Sequence, residues 1–154
     1  MSALVPRWAE VGGRDSLIAR IAAPATHARL AAEMRENMRR RGGAGAMLIV
    51  SSRQRDLEGK RLDAIAAARG ADPVEAAMDI IRTVGDQSVA SFNMNARDIE
   101  TFMRADFVTT CSDGSDGHPR KFGTFPRKIR DYVLDRPVIT MERAIASGSA
   151  QPAR

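Results

Sequence analysis

The sequence is poor in cysteine and in long apolar runs. Cys111 is the one cysteine, so no disulfide can form within the chain, and a reducing compartment is predicted. No stretch approaches the roughly 18 consecutive apolar residues that a transmembrane helix needs. The start of the chain, residues 1–8, carries no apolar core of a secretory signal. These absences predict a soluble, cytoplasmic protein without a membrane partner.

Aromatic residues are also scarce, with one Trp, one Tyr and five Phe. Proteins that bind single-stranded nucleic acid stack bases on aromatic side chains, and this chain offers no such platform. The net charge of +5 is spread along the chain, with one dense block at Arg39, Arg40 and Arg41. That block closes a predicted helix, where cations interact favourably with the helix dipole. We therefore expect no nucleic-acid partner.

Histidine is the third scarce residue type. The chain has two, His27 and His118, whereas a catalytic zinc site usually takes three protein ligands and keeps a fourth position open. His27 lies in a polar stretch and is expected to face water. The sequence predicts no tight metal site within this chain.

Apolar residues, 44% of the 154, are arranged in short patterned segments that suffice for one domain or a part of one. Residues 1–44 predict a helical hairpin or insertion, and residues 45–154 mix strands with helices. The clearest helix signal is Asp72 as cap, followed by Pro73 at the first helical position. The predicted strands are 47–50, 89–94 and 107–111, and the predicted helices include 25–41, 60–69, 74–83, 126–134 and 141–146.

The order of these segments predicts the fold class. Strands that alternate with helices favour parallel pairing and right-handed crossovers, which is an α/β architecture. Three strands are too few to close a barrel. The chain is therefore either a small open sheet or an incomplete fragment of a (β/α) TIM-type barrel that holds its last strands and helices.

The candidate chemistry lies just after the third predicted strand. Asp113 would stand at the carboxyl end of that strand, where (β/α) barrels keep their active sites, and is the candidate general acid or base. The alternative is a simple Asp-Gly turn in which Gly114 supplies the positive φ. Arg120, on the same loop, could bind a substrate carboxylate through two hydrogen bonds. Cys111, inside the predicted strand, is expected to be a buried and inert thiol.

Three linked motifs carry a family resemblance. Ser112-Asp113-Gly114, then His118-Pro119-Arg120, then Gly123-Thr124-Phe125-Pro126-Arg127 resemble the signature of the N-acyl-D-amino-acid deacylases, or D-aminoacylases, of the amidohydrolase superfamily. Upstream, Leu57-Glu58-Gly59-Lys60 and Phe92-Asn93-Met94 resemble the stretch that precedes this signature. The resemblance covers most of the chain, and residues 1–44 are its least diagnostic part.

The resemblance implies zinc-dependent hydrolysis of the amide bond of N-acyl-D-amino acids by a full-length barrel. By motif position, Asp113 corresponds to the catalytic aspartate that takes a proton from the metal-bound water and passes it to the departing amine. Arg120 corresponds to the arginine that binds the carboxylate of the small-molecule substrate. The zinc ligands of that family, a His-x-His pair among them, are absent here, so the fragment is expected to be inactive alone and to hold no zinc tightly.

Two other interpretations remain open at this point. One is a catalytically dead α/β interaction module derived from the same family, which would self-associate through exposed barrel edges. The other is a cyclic amidohydrolase of the dihydroorotase or hydantoinase kind, against which the motifs at 118–120 and 123–127 argue. On the deacylase interpretation, residues 45–154 are the C-terminal βα units of the barrel.

Overall fold

A computed structural model describes residues 1–114 and 120–153 of the chain. The chain divides into two compact units, Met1–Asn93, here called unit 1, and Met94–Arg154, here called unit 2. The helices of unit 1 are α1 (Arg7–Glu10), α2 (Gly13–Ala22), α3 (Pro24–Arg40), α4 (Leu62–Ala68) and α5 (Pro73–Thr83), and its strands are β1 (Met47–Ser51) and β2 (Ser88–Ser91). The helices of unit 2 are α6 (Ala96–Arg104), α7 (Arg120–Ile129) and α8 (Met141–Gly148), with a π-helical turn at Arg130–Leu134.

The longer helices of unit 1 lie where the sequence predicts them. The helix predicted over 25–41 is α3, and the helix predicted over 74–83 is α5. The Asp72 carboxylate accepts a hydrogen bond from the Val74 backbone N–H at 2.9 Å, which confirms the predicted cap. The apolar stripe of α5 is fully buried, at Val74, Ala77, Met78 and Ile81. Burial of this stripe, together with the cap, fixes α5 in the unit.

The core of unit 1 is continuous from its first helices to the sheet. Leu30 and Met34 on α3, Ile49 on β1 and Leu62 on α4 are almost completely buried. Burying such side chains stabilises a fold by about 1.5–3 kcal/mol each relative to leaving them exposed. The hairpin segment and the strand-bearing segment of unit 1 thus share one hydrophobic core.

The predicted parallel pairing is wrong. Strands β1 and β2 pair antiparallel, with Met47 opposite Ser91 and Ile49 opposite Val89. Helices α4 and α5, which contact each other, lie between the two strands in the chain. The first helix leads away from the end of β1 and the second leads back to it, so β2 starts beside the end of β1. One crossover helix would have favoured parallel strands, whereas this pair delivers β2 in the opposite direction.

The third predicted strand is also wrong. Residues 107–111 have no strand partner, and within the described part of unit 2 there is no strand at all. The Thr110 N–H donates instead to the Ser147 carbonyl of α8 at 2.8 Å, and the Val108 N–H donates to the Ala105 carbonyl. A strand exists only where a second strand accepts its backbone hydrogen bonds. The described structure is therefore mixed, helix-rich and two-stranded, and it is compatible with a fragment of a larger enzyme, but it does not confirm a TIM-type barrel.

Helix α7 differs from its prediction in where it starts. The sequence predicts a helix that begins at Pro126, but α7 already runs from Arg120 and holds Pro126 inside it. A proline in a helix interior removes one backbone hydrogen bond, and the helix passes into the π-helical turn only four residues later.

Within the described residues, no helix combines the length and the apolar character that crossing a bilayer requires.

Candidate functional site

The loop that follows residues 107–111 holds the candidate acid or base. Asp113 adopts a left-handed backbone conformation, with φ 44°, and 82% of its side chain is exposed. Asp tolerates this conformation better than most residues with a Cβ atom. The Gly114 N–H donates to the Ser112 hydroxyl at 3.3 Å. The turn alternative expects the positive φ at Gly114, whereas the structure has it at Asp113.

Arg120 contacts Asp113 through two of its nitrogens. Its Nε donates to the Asp113 backbone carbonyl at 2.7 Å, and its Nη2 lies 2.8 Å from the Asp113 carboxylate. Arg120 is the first residue of α7, so the helix holds the base of this side chain. The structure thus brings together the two residues that the motif resemblance selects.

Gly114 allows this approach. A Cβ atom built on Gly114 would lie 2.6 Å from Lys121 Cα and 2.9 Å from Lys121 Cβ, much closer than real contacts allow. Because the obstacle is backbone, a side chain at position 114 would push the loop away from α7. Position 114 therefore requires glycine, because the loop packs closely against the start of α7.

The two histidines of the sequence stand as follows. His118 lies outside the described residues. His27 is on α3, where its Nδ1 contacts the Ile21 carbonyl at 2.8 Å and its Nε2 contacts the Glu75 carboxylate at 3.1 Å. The expectation that His27 simply faces water is therefore wrong. Both contacts favour the charged imidazolium, the Ile21 carbonyl most, and they raise the pKa of His27.

Cys111 also departs from its prediction. The sequence predicts a buried thiol inside a strand, but the residue is exposed because the strand does not form. Its sulfur accepts a hydrogen bond from the Asp113 N–H at 3.2 Å. Cys111 thus helps to shape the loop around Asp113.

The described residues do not fit a zinc site. Among residues 1–114 and 120–153, no three side chains of His, Cys, Asp or Glu lie together in a way that could hold a metal ion. Catalytic zinc takes three such ligands. Asp113 has an arginine beside it instead, and the guanidinium of an arginine can bind another carboxylate through the same kind of charge-assisted hydrogen bond.

Sequence reasoning missed a buried polar cluster in unit 2. Lys128 on α7 is only 6% exposed, and its ammonium donates to the hydroxyls of Thr110 and Ser147, the latter at 2.6 Å. Burial lowers the pKa of Lys128, and the positive charge of Arg143 lowers it further. The sequence gives no signal for this cluster, because a lysine between Arg127 and Arg130 is typical of a solvated face.

Comparison with known proteins gives one partial relative. The N-acyl-D-glutamate deacylase of Alcaligenes xylosoxydans xylosoxydans is 33% identical over an alignment of 103 residues, and the alignment covers 62% of this chain and 20% of that protein. The chain therefore spans about a fifth of the length of this relative. No family model matches the chain, and no solved structure matches it. The match indicates a partial relation to the amidohydrolase family.

Proposed function

We propose that this chain corresponds to one part of a zinc-dependent N-acyl-D-amino-acid deacylase, whose complete form hydrolyses the amide bond of an N-acyl-D-amino acid. The observation that carries the proposal is the match to N-acyl-D-glutamate deacylase over 103 residues. The contact between Asp113 and Arg120 supports it, because these are the residues that the motifs assign to proton transfer and to substrate binding.

Asp113 is the proposed proton carrier. Amide hydrolysis adds water to the carbonyl carbon, breaks the C–N bond and delivers a proton to the departing nitrogen. An exposed carboxylate can accept the proton from the attacking water and donate it to the amine, so that no proton is gained or lost over the cycle. The products are the free acid of the acyl group and the amino acid.

Arg120 is the proposed anchor for the substrate carboxylate. Its Nη2 is paired with the Asp113 carboxylate, while its Nε is held by the Asp113 carbonyl. A substrate carboxylate could replace the Asp113 carboxylate at Nη2 and leave the Nε bond intact, which would keep the guanidinium oriented. This exchange would also release the Asp113 carboxylate for proton transfer.

The zinc that the family resemblance implies does not fit the residues described here. No three potential ligands lie together among them, and we derive no step of the reaction from a metal. On this proposal, the metal ligands belong to the four-fifths of the deacylase that this chain does not span.

A covalent chimera tests the proposal. The Alcaligenes deacylase would carry this chain in place of the stretch that it matches, and release of D-glutamate from N-acetyl-D-glutamate would be measured. We expect activity in the chimera, and we expect Asp113→Asn to lower kcat by about 10²- to 10⁴-fold, the usual contribution of a general acid or base. Arg120→Gln should mainly raise KM, because it removes a substrate contact.

Asp135→Asn is the matched control for this experiment. Asp135 is also an exposed aspartate beside an arginine, Arg130, at 3.6 Å, but it follows the π-helical turn and lies outside the three motifs. Its substitution should leave kcat and KM unchanged. Full activity of the Asp113→Asn chimera, or an inactive but folded parent chimera, would refute the proposed function.

A further inference from the structure

Lys128 joins α7 to the segment that leads into Asp113. Its ammonium donates hydrogen bonds to the hydroxyls of Thr110 and Ser147, the latter at 2.6 Å. Thr110 lies three residues before Asp113, and Ser147 lies on α8. Lys128 is only 6% exposed, so water screens these bonds little. Two helices and the segment before Asp113 therefore meet at one ammonium.

The segment is also attached to α8 directly. The Thr110 N–H donates to the Ser147 carbonyl at 2.8 Å, and the hydroxyls of the two residues lie 3.2 Å apart. Arg143 on α8 donates to an earlier carbonyl of the same stretch, that of Val108, at 2.9 Å. These bonds hold the segment on α8. Lys128 adds the third element, α7, to the arrangement.

The segment is tied to α7 at two positions. Thr110 is bonded to Lys128, and the Asp113 carbonyl accepts a hydrogen bond from Arg120 Nε at 2.7 Å. Arg120 and Lys128 are eight residues apart on α7, which is about 12 Å along a helix. The chain from Thr110 to Asp113 spans about 10–11 Å at most. Because the two lengths are similar, a movement of Thr110 relative to α7 is passed on to Asp113.

Phe125 also holds α7 against α8, but without direction. A Cβ atom built on Gly148 would lie 2.9 Å from Phe125 Cε1, so the ring packs directly on α8. Apolar packing is non-directional, whereas a hydrogen bond weakens steeply away from its preferred angle. Loss of the Lys128 bonds should therefore leave α7 on α8 and loosen its position along the segment.

The charge of Lys128 is not needed to fill its position. A methionine is of similar length and would occupy this space without the penalty of burying an ammonium. The Thr110 and Ser147 hydroxyls are close enough to bond each other in its absence. The ammonium thus lowers stability relative to methionine, and what it supplies is a directional contact beside the Asp113 loop. Loss of stability of this kind is common at functional sites.

Resting on the proposed function, we propose that Lys128 is a positioning residue for the deacylase reaction, which keeps Asp113 in contact with Arg120 by joining α7 to Thr110. In that reaction a substrate carboxylate replaces the Asp113 carboxylate at Arg120 Nη2, and the bond from Nε to the Asp113 carbonyl keeps the guanidinium oriented. Lys128 maintains this second bond. It acts through Thr110 and Arg120, because its own side chain is buried.

The first measurement follows the contact itself in the full chain. Exchange of the Arg120 Nε proton with water is measured by NMR, and the signal is identified by its loss in Arg120→Gln. Wild type should show a protected proton, because the Asp113 carbonyl accepts it. Lys128→Met should raise the exchange rate by about 10-fold or more, since protection falls when a hydrogen bond opens more often.

Arg130→Met is the matched control for the loss of charge. It removes one positive charge two residues after Lys128, but the Arg130 side chain is 78% exposed and pairs with Asp135. Its exchange rate at Arg120 should equal that of wild type.

Thr110 provides a second pair of variants. Thr110→Val keeps the shape and loses the hydroxyl, so it should raise the exchange rate as Lys128→Met does. Thr110→Ser keeps the hydroxyl and should match wild type. Because Lys128 and Thr110 act through one hydrogen bond, the double variant Lys128→Met, Thr110→Val should add little to either single change.

The second measurement uses the chimera with the Alcaligenes deacylase. Lys128→Met should lower kcat/KM by about 10- to 100-fold, since a misplacement of about 1 Å can lower a rate by about 100-fold. KM should rise because the Arg120 guanidinium is less well oriented, and kcat should fall because Asp113 is displaced. A purely structural role would reduce the amount of folded enzyme and leave KM unchanged.

Three results would overturn the inference. One is an Arg120 exchange rate that is the same in Lys128→Met as in wild type, or that is already as fast in wild type as in free arginine. The second is a Lys128→Met chain that does not fold at neutral pH, which would identify the ammonium as a structural group. The third is an active chimera in which Lys128→Met leaves kcat and KM unchanged.

The two measurements separate this inference from the proposed function. The exchange measurement needs no activity. Faster exchange in Lys128→Met together with an inactive but folded parent chimera would refute the proposed function, and it would still support the role of Lys128 in holding Asp113 against Arg120.

Discussion

At the scale of single residues, Lys128 is the most unusual group in the described structure. Its ammonium is buried, and hydroxyls rather than a carboxylate contact it among the described residues. An ammonium moved out of water without a counter-ion loses hydration that hydroxyls only partly replace. Its lowered pKa expresses this penalty, and Arg143 adds to it.

Replacing Lys128 with methionine should change the pH dependence of stability. Folding lowers the pKa of Lys128 below its unfolded value of 10.5. The buried charge therefore destabilises the folded state fully below the folded pKa, and this destabilisation disappears as the pH rises towards 10.5. The wild type should therefore gain stability relative to Lys128→Met between pH 7 and pH 10. Chemical denaturation at several pH values measures the difference.

Lys121→Met provides the control for this prediction. It makes the same chemical change at an exposed position on the same helix, where the Lys121 ammonium lies 5.8 Å from the centre of the Phe122 ring. The stability difference between wild type and Lys128→Met should rise with pH more steeply than that between wild type and Lys121→Met, because Lys128 is buried whereas Lys121 is exposed. A parallel pH profile for the two variants would contradict the burial argument.

At the scale of elements, the helices of unit 1 are joined by side chains as well as by the core. His27 on α3 reaches both the Ile21 carbonyl at the end of α2 and the Glu75 carboxylate on α5. The side chains of His27 and Glu75 are about one-third and two-fifths exposed. Solvent screens such a pair, and its contribution stays below about 1 kcal/mol.

The contact between α3 and α5 should weaken as the pH rises. Folding raises the pKa of His27 above 6.5, so its contribution is complete below that pH and is lost as the pH rises through the folded pKa. His27→Gln should therefore reduce the melting temperature more at pH 5.5 than at pH 8.5. Glu75→Gln should give the same trend, and equal effects at both pH values would count against the ion pair.

At the scale of the whole molecule, the two units differ in how they are stabilised. Unit 1 buries apolar residues from all of its helices and from β1. Unit 2 buries few apolar residues in its described part and leaves Phe102, Phe107 and Phe122 exposed. Because burial of apolar surface is the main stabilising term in folding, unit 1 carries most of the stability of the chain.

The isolated chain should not release D-glutamate from N-acetyl-D-glutamate, with or without added zinc. The described residues bring together no three potential metal ligands, and a catalytic zinc site usually takes three. The measurement is release of free amino acid, with the Alcaligenes deacylase as positive control. Turnover clearly above a metal-free blank, or zinc held at one equivalent per chain, would contradict this expectation.

Local signals account for what could be predicted of the fold and of the candidate site. The helices α3 and α5 follow from apolar spacing, and the start of α5 follows from Asp72 and Pro73, because these signals act within a few residues. Asp113 and Arg120 were each selected by motif resemblance, and their contact with one another is a finding of the structure. The proton-transfer and substrate-binding roles of these residues stay predictions.

The amino-acid sequence by itself determined where most helices form, how α5 begins and which loop carries the candidate acid. Only the tertiary structure decided that β1 and β2 run antiparallel, that residues 107–111 form no strand and that Lys128 is buried. The reason is physical. A helix satisfies its hydrogen bonds within its own segment, whereas strand pairing and the burial of a charge depend on partners that are distant in the chain.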